Sequence, residues 1–196
     1  MTTRSATRER STNETSISVS INLDGGPVSA STGIPFFDHM LDQLGRHGCF
    51  GLDVHCTGDL DIDAHHTVED VGIAVGEAFA EALGDKAGVR RFANARVPLD
   101  EALVDVALDL SGRPYLHHEV DFPGQKILGD PPFDPQLMEE FWRAFAMAAR
   151  ITVHLTLVRG KNTHHIVEAT FKGMARALSD AVRIEGEGVP STKGSL

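Results

Sequence analysis

The chain has 196 residues, 41% of them hydrophobic, so it can bury a core as one domain or as two small fused halves. Its 28 acidic and 18 basic residues give a net charge of −10, which argues against a nucleic-acid-binding surface. Any anion that binds must therefore meet a local cluster of cations. The two cysteines, Cys49 and Cys56, are too few for a disulfide scaffold and indicate a reduced, cytoplasmic protein.

The first residues of the chain are polar. Residues 1–13 are rich in Thr, Ser and Arg and have no apolar segment, so they predict a flexible arm, not a signal peptide or a membrane span. Residues 16–23 alternate polar and apolar side chains with a period of two, which predicts a half-buried strand. Glu14 directly precedes this strand and, on the residues alone, is interpreted as a surface charge.

A helix is predicted from Phe37 onward, because apolar residues recur on one of its faces. Its polar face has three residues spaced four apart: His39, Gln43 and His47. This face is either ordinary helix surface or the wall of a site. Residues 51–57 predict a strand, and an acidic run at residues 59–63 is interpreted as solvated, although it would also attract cations.

A pentapeptide then occurs twice. His65-His66-Thr67-Val68-Glu69 returns 99 residues later as His164-His165-Ile166-Val167-Glu168, and each copy opens a run with helical periodicity. The first histidine and the glutamate are four apart, on one helix face, and suit a nitrogen and an oxygen ligand of one metal ion. The second histidine points about 100° away, toward a second centre. A single copy would be ordinary polar surface, but the repetition predicts two ions from among Mn²⁺, Fe²⁺, Co²⁺ and Zn²⁺.

The second half of the chain replays the first. Residues 137–149 predict a helix and residues 151–158 a strand, after strands at 102–110 and 115–120 and a loop at 123–134. Glu140 then aligns with His39, which offers one more ligand in each half. The order β, α, β, α in each half predicts an α+β fold of two similar sheet-plus-helix-layer units packed together, at residues 14–92 and 93–187. Residues 188–196 form a short tail that is rich in Ser, Thr, Lys and Gly.

Five segments in this order resemble the imidazoleglycerol-phosphate dehydratases of histidine biosynthesis: Phe37-Asp38-His39-Met40-Leu41, Asp63-Ala64-His65-His66-Thr67-Val68-Glu69-Asp70, Asp109-Leu110-Ser111-Gly112-Arg113-Pro114-Tyr115, His164-His165-Ile166-Val167-Glu168-Ala169 and Pro190-Ser191-Thr192-Lys193-Gly194. The resemblance runs from about Glu14 to Gly194 and is to the monofunctional form. It implies a duplicated α+β unit and a homo-oligomeric shell of 24 subunits, with two Mn²⁺ ions in each interfacial active site. The acidic net charge and the polar first residues, for their part, predict no nucleic-acid or membrane partner.

The resemblance also assigns residues. The metal ligands it implies are His39, His65, His66, Glu69, Glu140, His164, His165 and Glu168, where Glu140 stands in place of a histidine common in the family. The general acid or base would be Glu14. Phosphate would be held by Arg91, Arg113, Lys172, Ser191 and Lys193. The other substrate-binding residues would be Thr192 in the tail and Gln43 and His47 beside His39. The implied reaction converts D-erythro-imidazoleglycerol phosphate into imidazoleacetol phosphate and water, through a metal-bound imidazolate.

Two other interpretations remain open at this point. Paired metals also activate water against phosphoesters, so a dinuclear hydrolase would use a similar ligand set. A metal-buffering or structural shell protein would need the ligands but no catalysis, and it would leave the cationic residues Arg91, Arg113 and Lys193 unexplained.

Overall fold

The computed structural model describes residues 4–124 and 126–196, which form two halves with the same order of elements: three strands, a helix, a strand and a helix. The first half comprises β1 (Ser5–Ser11), β2 (Thr15–Asn22), β3 (Val28–Ser31), α1 (Pro35–Gly48), β4 (Gly51–Gly58) and α2 (His65–Leu83). The second comprises β5 (Phe92–Leu99), β6 (Ala102–Asp109), β7 (Tyr115–Glu119), α3 (Leu137–Ala149), β8 (Thr152–Arg159) and α4 (Thr163–Ala181). The predicted fold class, a duplicated sheet-plus-helix unit, is confirmed.

The two four-stranded sheets have equivalent topologies, with strand orders β1-β2-β4-β3 and β5-β6-β8-β7. In each sheet two antiparallel pairs are followed by one parallel pair, β3 with β4 or β7 with β8. The parallel strands are joined through a crossover helix, as parallel pairing requires. The helices therefore cover one face of each sheet.

The four helices lie between the two sheets. Helices α1 and α2 pack on the first sheet and α3 and α4 on the second, while α2 packs on α3 and α1 on α4 across the halves. Apolar helix faces fill the interior with large buried side chains such as Phe37, Trp142 and Phe171. The crossing of α2 and α3 is close because α2 has glycine there: a Cβ at Gly76 would lie 2.7 Å from the carbonyl oxygen of Phe145.

Both copies of the repeated motif lie on the first turn of a helix, as predicted. Helix α2 begins at His65, and the carboxylate of Asp63 accepts a hydrogen bond from the His65 backbone N–H at 2.7 Å. Helix α4 begins at Thr163, and the side chain of Asn162 accepts from the His165 backbone N–H at 3.3 Å. These side chains satisfy N–H groups that the helix itself leaves without partners.

The prediction of a flexible arm at residues 1–13 is wrong for most of its length. Ser5–Ser11 form the edge strand β1, paired antiparallel with β2, so the first half begins before residue 14. Its charged side chains hide any apolar alternation, since only Ala6 of this strand is buried. Strands β3 and β5 were not predicted either. Because β5 begins at Phe92, the second half starts at or before residue 92, earlier than the predicted residue 93.

None of the helices in the described part of the chain combines the length and the apolar character that crossing a membrane requires.

Candidate active site and metal centre

Helices α1 and α4 bring together three side chains with metal-ligand atoms. His39 Nε2 lies 3.3 Å and His164 Nε2 3.0 Å from the same Glu168 oxygen, Oε2. One ligand atom from each of the three lies within 4.8 Å of the others, and no other such group of three was found among the described residues. Two imidazole nitrogens and a carboxylate oxygen, without a thiolate, suit a divalent ion such as Mn²⁺ or Zn²⁺.

Glu168 is held as a carboxylate by its neighbours. Its other oxygen, Oε1, lies 2.5 Å from Lys172 Nζ, one helical turn further along α4. Burial alone would raise the pKa of Glu168, but hydrogen bonds from Lys172 and His164 outweigh it and lower the pKa to about 2. The Glu168 side chain is therefore negatively charged throughout the physiological pH range.

The first copy of the motif is more open. His65 Nε2 lies 3.8 Å from Glu69 Oε2, and both side chains are about half exposed. Glu140, on α3, lies 3.8 Å from Arg143. These residues do not close into a three-ligand group among the described residues of this single chain, so the assignment of Glu140 as a ligand stays a prediction.

The two histidine rings of each copy are nearly perpendicular. The ring planes of His65 and His66 are 87° apart, and those of His164 and His165 are 84° apart. Side chains at adjacent helix positions also leave the helix about 100° apart. Each motif therefore offers imidazole nitrogens in two directions.

His66 and His165 each lie between two carboxylates. His66 Nδ1 is 2.9 Å from Asp59 and its Nε2 is 3.7 Å from Glu14. The hydrogen bond with Asp59 is the main reason that the pKa of His66 is raised, and the charge of Glu14 adds to it.

The corresponding nitrogens of His165 are 2.7 Å from Glu101 and 3.8 Å from Asp100. Hydrogen bonds from His165 and from the backbone of Asn162 and Lys161 lower the pKa of Glu101 to about 2.

The polar face of α1 forms a wall beside the α4 cluster. Gln43 is one helical turn beyond His39, and its Oε1 lies 3.1 Å from Nε2 of His47. Burial, and then the nearby cation of Lys172, lower the pKa of His47. The three residues spaced four apart thus belong to the same surface as Glu168 and Lys172.

A cationic pocket of about 600 Å³ is lined by Arg91, Arg113, Pro190, Ser191, Thr192 and Lys193. Arg91 is fixed in it: its Nε and Nη2 donate to the two oxygens of Asp109 at 2.7 and 3.1 Å, and its Nη1 donates to the Pro190 carbonyl at 2.8 Å. The structure therefore brings together four of the five phosphate residues implied by the resemblance, along with Thr192. Lys172 does not line this pocket, because its position on α4 places its ammonium against Glu168.

Four carboxylates that hold these side chains were not assigned from the sequence: Asp59, Asp100, Glu101 and Asp109. The acidic run at residues 59–63 was interpreted as solvated. Asp109 is the first residue of one of the five segments that carry the resemblance, and the sequence offered no other indication that it belongs to the site. Glu101 lies in the turn between β5 and β6, 64 residues from His165, so the sequence gives no sign that the two meet.

Comparisons with known proteins identify the family. The sequence profile of the family described as "Imidazoleglycerol-phosphate dehydratase" matches residues 32–178. The chain is 55% identical over 196 residues to the imidazoleglycerol-phosphate dehydratase of Acidothermus cellulolyticus, covering 98% of this chain and 93% of that protein. It is also 55% identical over 199 residues to that of Gluconacetobacter diazotrophicus, covering 100% of this chain and 99% of that protein.

Solved structures give the same answer. The imidazoleglycerol-phosphate dehydratase of Staphylococcus aureus superimposes with a TM-score of 0.82 at 37% identity, covering 92% of this chain and 99% of that one. That of Pyrococcus furiosus gives 0.83 at 40% identity, covering 96% and 100%. The chain therefore belongs to the imidazoleglycerol-phosphate dehydratase family of hydro-lyases.

Proposed function

We propose that the protein dehydrates D-erythro-imidazoleglycerol phosphate to imidazoleacetol phosphate in a Mn²⁺-dependent step of L-histidine biosynthesis in the cytoplasm. The observation that supports this most is the meeting of His39, His164 and Glu168 from two helices and both halves of the chain. A manganese ion bound there would favour the deprotonated, electron-rich form of the substrate's imidazole ring, which can then expel the neighbouring hydroxyl group.

Two ions in each site are proposed on the basis of the two-direction motifs. The Nε2 atoms of His66 and His165 lie 3.7 Å from Glu14 and 3.8 Å from Asp100, and neither ring belongs to the α1–α4 cluster. The side chains of His65 and Glu69 are about half exposed. We propose that these groups complete their coordination with residues of neighbouring subunits, with Glu140 as a further ligand, in a shell of 24 subunits.

The cationic pocket supplies what this acidic chain needs to hold the substrate's phosphate. Arg91 and Arg113 offer guanidinium forks, which match two oxygens of a phosphate. Ser191, Thr192 and Lys193 add hydroxyl and ammonium donors from the tail. The backbone of Arg91 is hydrogen-bonded to Ala181, at the opposite end of α4 from His164, so a substrate bound here would reach the metal-ligating residues of a neighbouring subunit in the proposed shell.

The remaining polar groups have proposed roles in proton transfer and orientation. Glu14, half exposed and 3.7 Å from His66 Nε2, is suited to take a proton from the substrate carbon or to give one to the leaving hydroxyl. Gln43 and His47 would bind the glycerol hydroxyls beside His39. Lys172 would hold Glu168 in its ligating orientation as well as contact the substrate.

The test is to identify the product. Purified protein supplied with Mn²⁺ is expected to convert imidazoleglycerol phosphate into a ketone with the mass of imidazoleacetol phosphate, without release of inorganic phosphate. Release of inorganic phosphate without ketone would replace the dehydratase by a phosphatase. Tight Mn²⁺ binding with neither product would indicate a protein that stores metal.

A further inference from the structure

The second histidine of each motif makes the same contact through the same ring atom. His66 Nδ1 lies 2.9 Å from Asp59 Oδ2, and His165 Nδ1 lies 2.7 Å from Glu101 Oε2. An ionised carboxylate can only accept hydrogen bonds, and a neutral imidazole has one nitrogen that donates and one that accepts. At these distances a neutral ring carries its proton on Nδ1, and its lone pair is then on Nε2.

Glu101 is fixed in place by more than this contact. Its other oxygen, Oε1, accepts hydrogen bonds from the backbone N–H groups of Asn162 at 2.7 Å and Lys161 at 3.1 Å, just before α4. The carboxylate thus ties the β5–β6 turn to the start of the helix that holds His165. Oε1 of Glu101 accepts hydrogen bonds from the backbone N–H groups, and Oε2 accepts one from the His165 ring.

The two carboxylates are not equivalent in the internal repeat. Asp59 follows β4, whereas Glu101 lies in the turn between β5 and β6. Duplication alone would have placed the carboxylate partners of His66 and His165 at equivalent positions. The two halves therefore use carboxylates from different elements to make the same contact with Nδ1. Such convergence within one chain is expected where the arrangement itself is needed.

We propose that Glu101 and Asp59 are positioning residues for the metal centre, which keep the proton of His165 and His66 on Nδ1 so that Nε2 is offered to the metal. The proposal rests on the proposed function, because that function supplies the metal. The carboxylates act through the histidines and touch neither substrate nor metal. Groups in this position orient a histidine ligand and select its tautomer.

The substitution Glu101→Gln separates the backbone hydrogen bonds of Glu101 from its hydrogen bond with His165. The amide oxygen can still receive the backbone N–H groups of Lys161 and Asn162, so the start of α4 keeps its cap. The amide NH₂ then faces His165 Nδ1 and must donate to it, which moves the ring proton to Nε2. This variant should fold normally and present the wrong nitrogen to the metal.

The tautomer is measured on metal-free protein labelled with ¹⁵N in its histidine rings, by magic-angle-spinning NMR at about pH 8, above the ordinary pKa of histidine. His165 is identified as the signal that disappears in His165→Asn. In the wild-type protein the protonated nitrogen of His165 should be Nδ1, and in Glu101→Gln it should be Nε2. A wild-type His165 protonated on Nε2 would overturn the proposal.

The second readout is Mn²⁺ affinity, measured by competition with a chelator. Glu101→Gln should weaken the affinity roughly 10- to 100-fold, the usual effect of losing such a partner. Asp59→Asn should do the same through His66, and it serves if Glu101→Gln misfolds. Glu77→Gln, an exposed change of the same charge on α2, should leave the affinity unchanged.

Affinity in both test variants within about threefold of wild type would also overturn the proposal. A wild-type protein with the expected tautomers and normal Mn²⁺ binding but no ketone product would refute the proposed function alone.

Discussion

The pairing of Arg91 with Asp109 should decide how well the cationic pocket holds phosphate. The two side chains are only 13% and 16% exposed, and Asp109 receives two hydrogen bonds from the guanidinium. Asp109→Asn keeps the shape but replaces one acceptor oxygen by an NH₂ group that faces Arg91 Nη2. A hydrogen bond to a charged group contributes about 1.5–3 kcal/mol, so the variant should be about 2 kcal/mol less stable.

The same change should weaken substrate binding. In the variant, Arg91 must lose side-chain freedom when it binds phosphate, which costs about 0.5–1.5 kcal/mol and corresponds to a rise in KM of roughly twofold to twelvefold. Removing the negative charge of Asp109 favours binding of the anionic phosphate, which keeps the rise in KM within that range. Because Arg91 would contact phosphate equally in the ground and transition states, kcat should stay within about twofold.

The matched control is Asp105→Asn, four residues earlier on β6. Asp105 forms the same two-oxygen pair with an arginine, Arg96, but that arginine is mostly exposed and the pair lies outside the cationic pocket. Urea unfolding and steady-state kinetics of both variants make the test. If both variants lost equal stability and left KM unchanged, the buried pair would have no special role in the pocket.

Three further outcomes are expected. Lys193→Ala should raise KM about tenfold with little change in kcat, since it removes a phosphate donor, and an unchanged KM would remove the tail from the site. Gly76→Ala should lower the free energy of unfolding by about 1–2 kcal/mol in urea unfolding, because a new methyl group 2.7 Å from the Phe145 carbonyl oxygen costs more than the gain in helix propensity. Gly186→Ala, with open space around the new methyl group, should leave the free energy of unfolding unchanged. Burial lowers the pKa of His118, so the unfolded chain binds its proton more readily and stability should fall as the pH drops below about 6.5; a thermal-unfolding series in which His118→Leu showed the same loss would contradict this.

The repeated motif allowed the sequence to predict most of the architecture. Periodicity placed α2 and α4 and set the first histidine of each motif on the first helical turn, where the structure has them. Strand β2 could be predicted because its side chains are alternately buried and more exposed along the strand. Strand β1 was not visible, because an edge strand with charged side chains is stabilised by backbone hydrogen bonds to β2, which leave no trace in an apolar pattern.

The site could be predicted only in part. Spacing on one helix paired His164 with Glu168. The internal alignment of the two halves and the resemblance added His39, which the packing of α1 on α4 brings to the same carboxylate. Lys172 lies four residues after Glu168 on α4, so helical spacing is compatible with their ion pair, although the resemblance alone assigned Lys172 to phosphate. Glu101 reaches His165 across 64 residues of sequence. Neither spacing nor composition encodes that second contact.

The central claim is that metal held by the repeated motif makes dehydration possible. The most direct test strips the protein with chelator and titrates Mn²⁺ back, with bound metal and formation of imidazoleacetol phosphate measured on the same samples. The account predicts no product without metal and a rate that rises with bound Mn²⁺ until the sites are full. Full dehydration by the stripped, metal-free protein would contradict it.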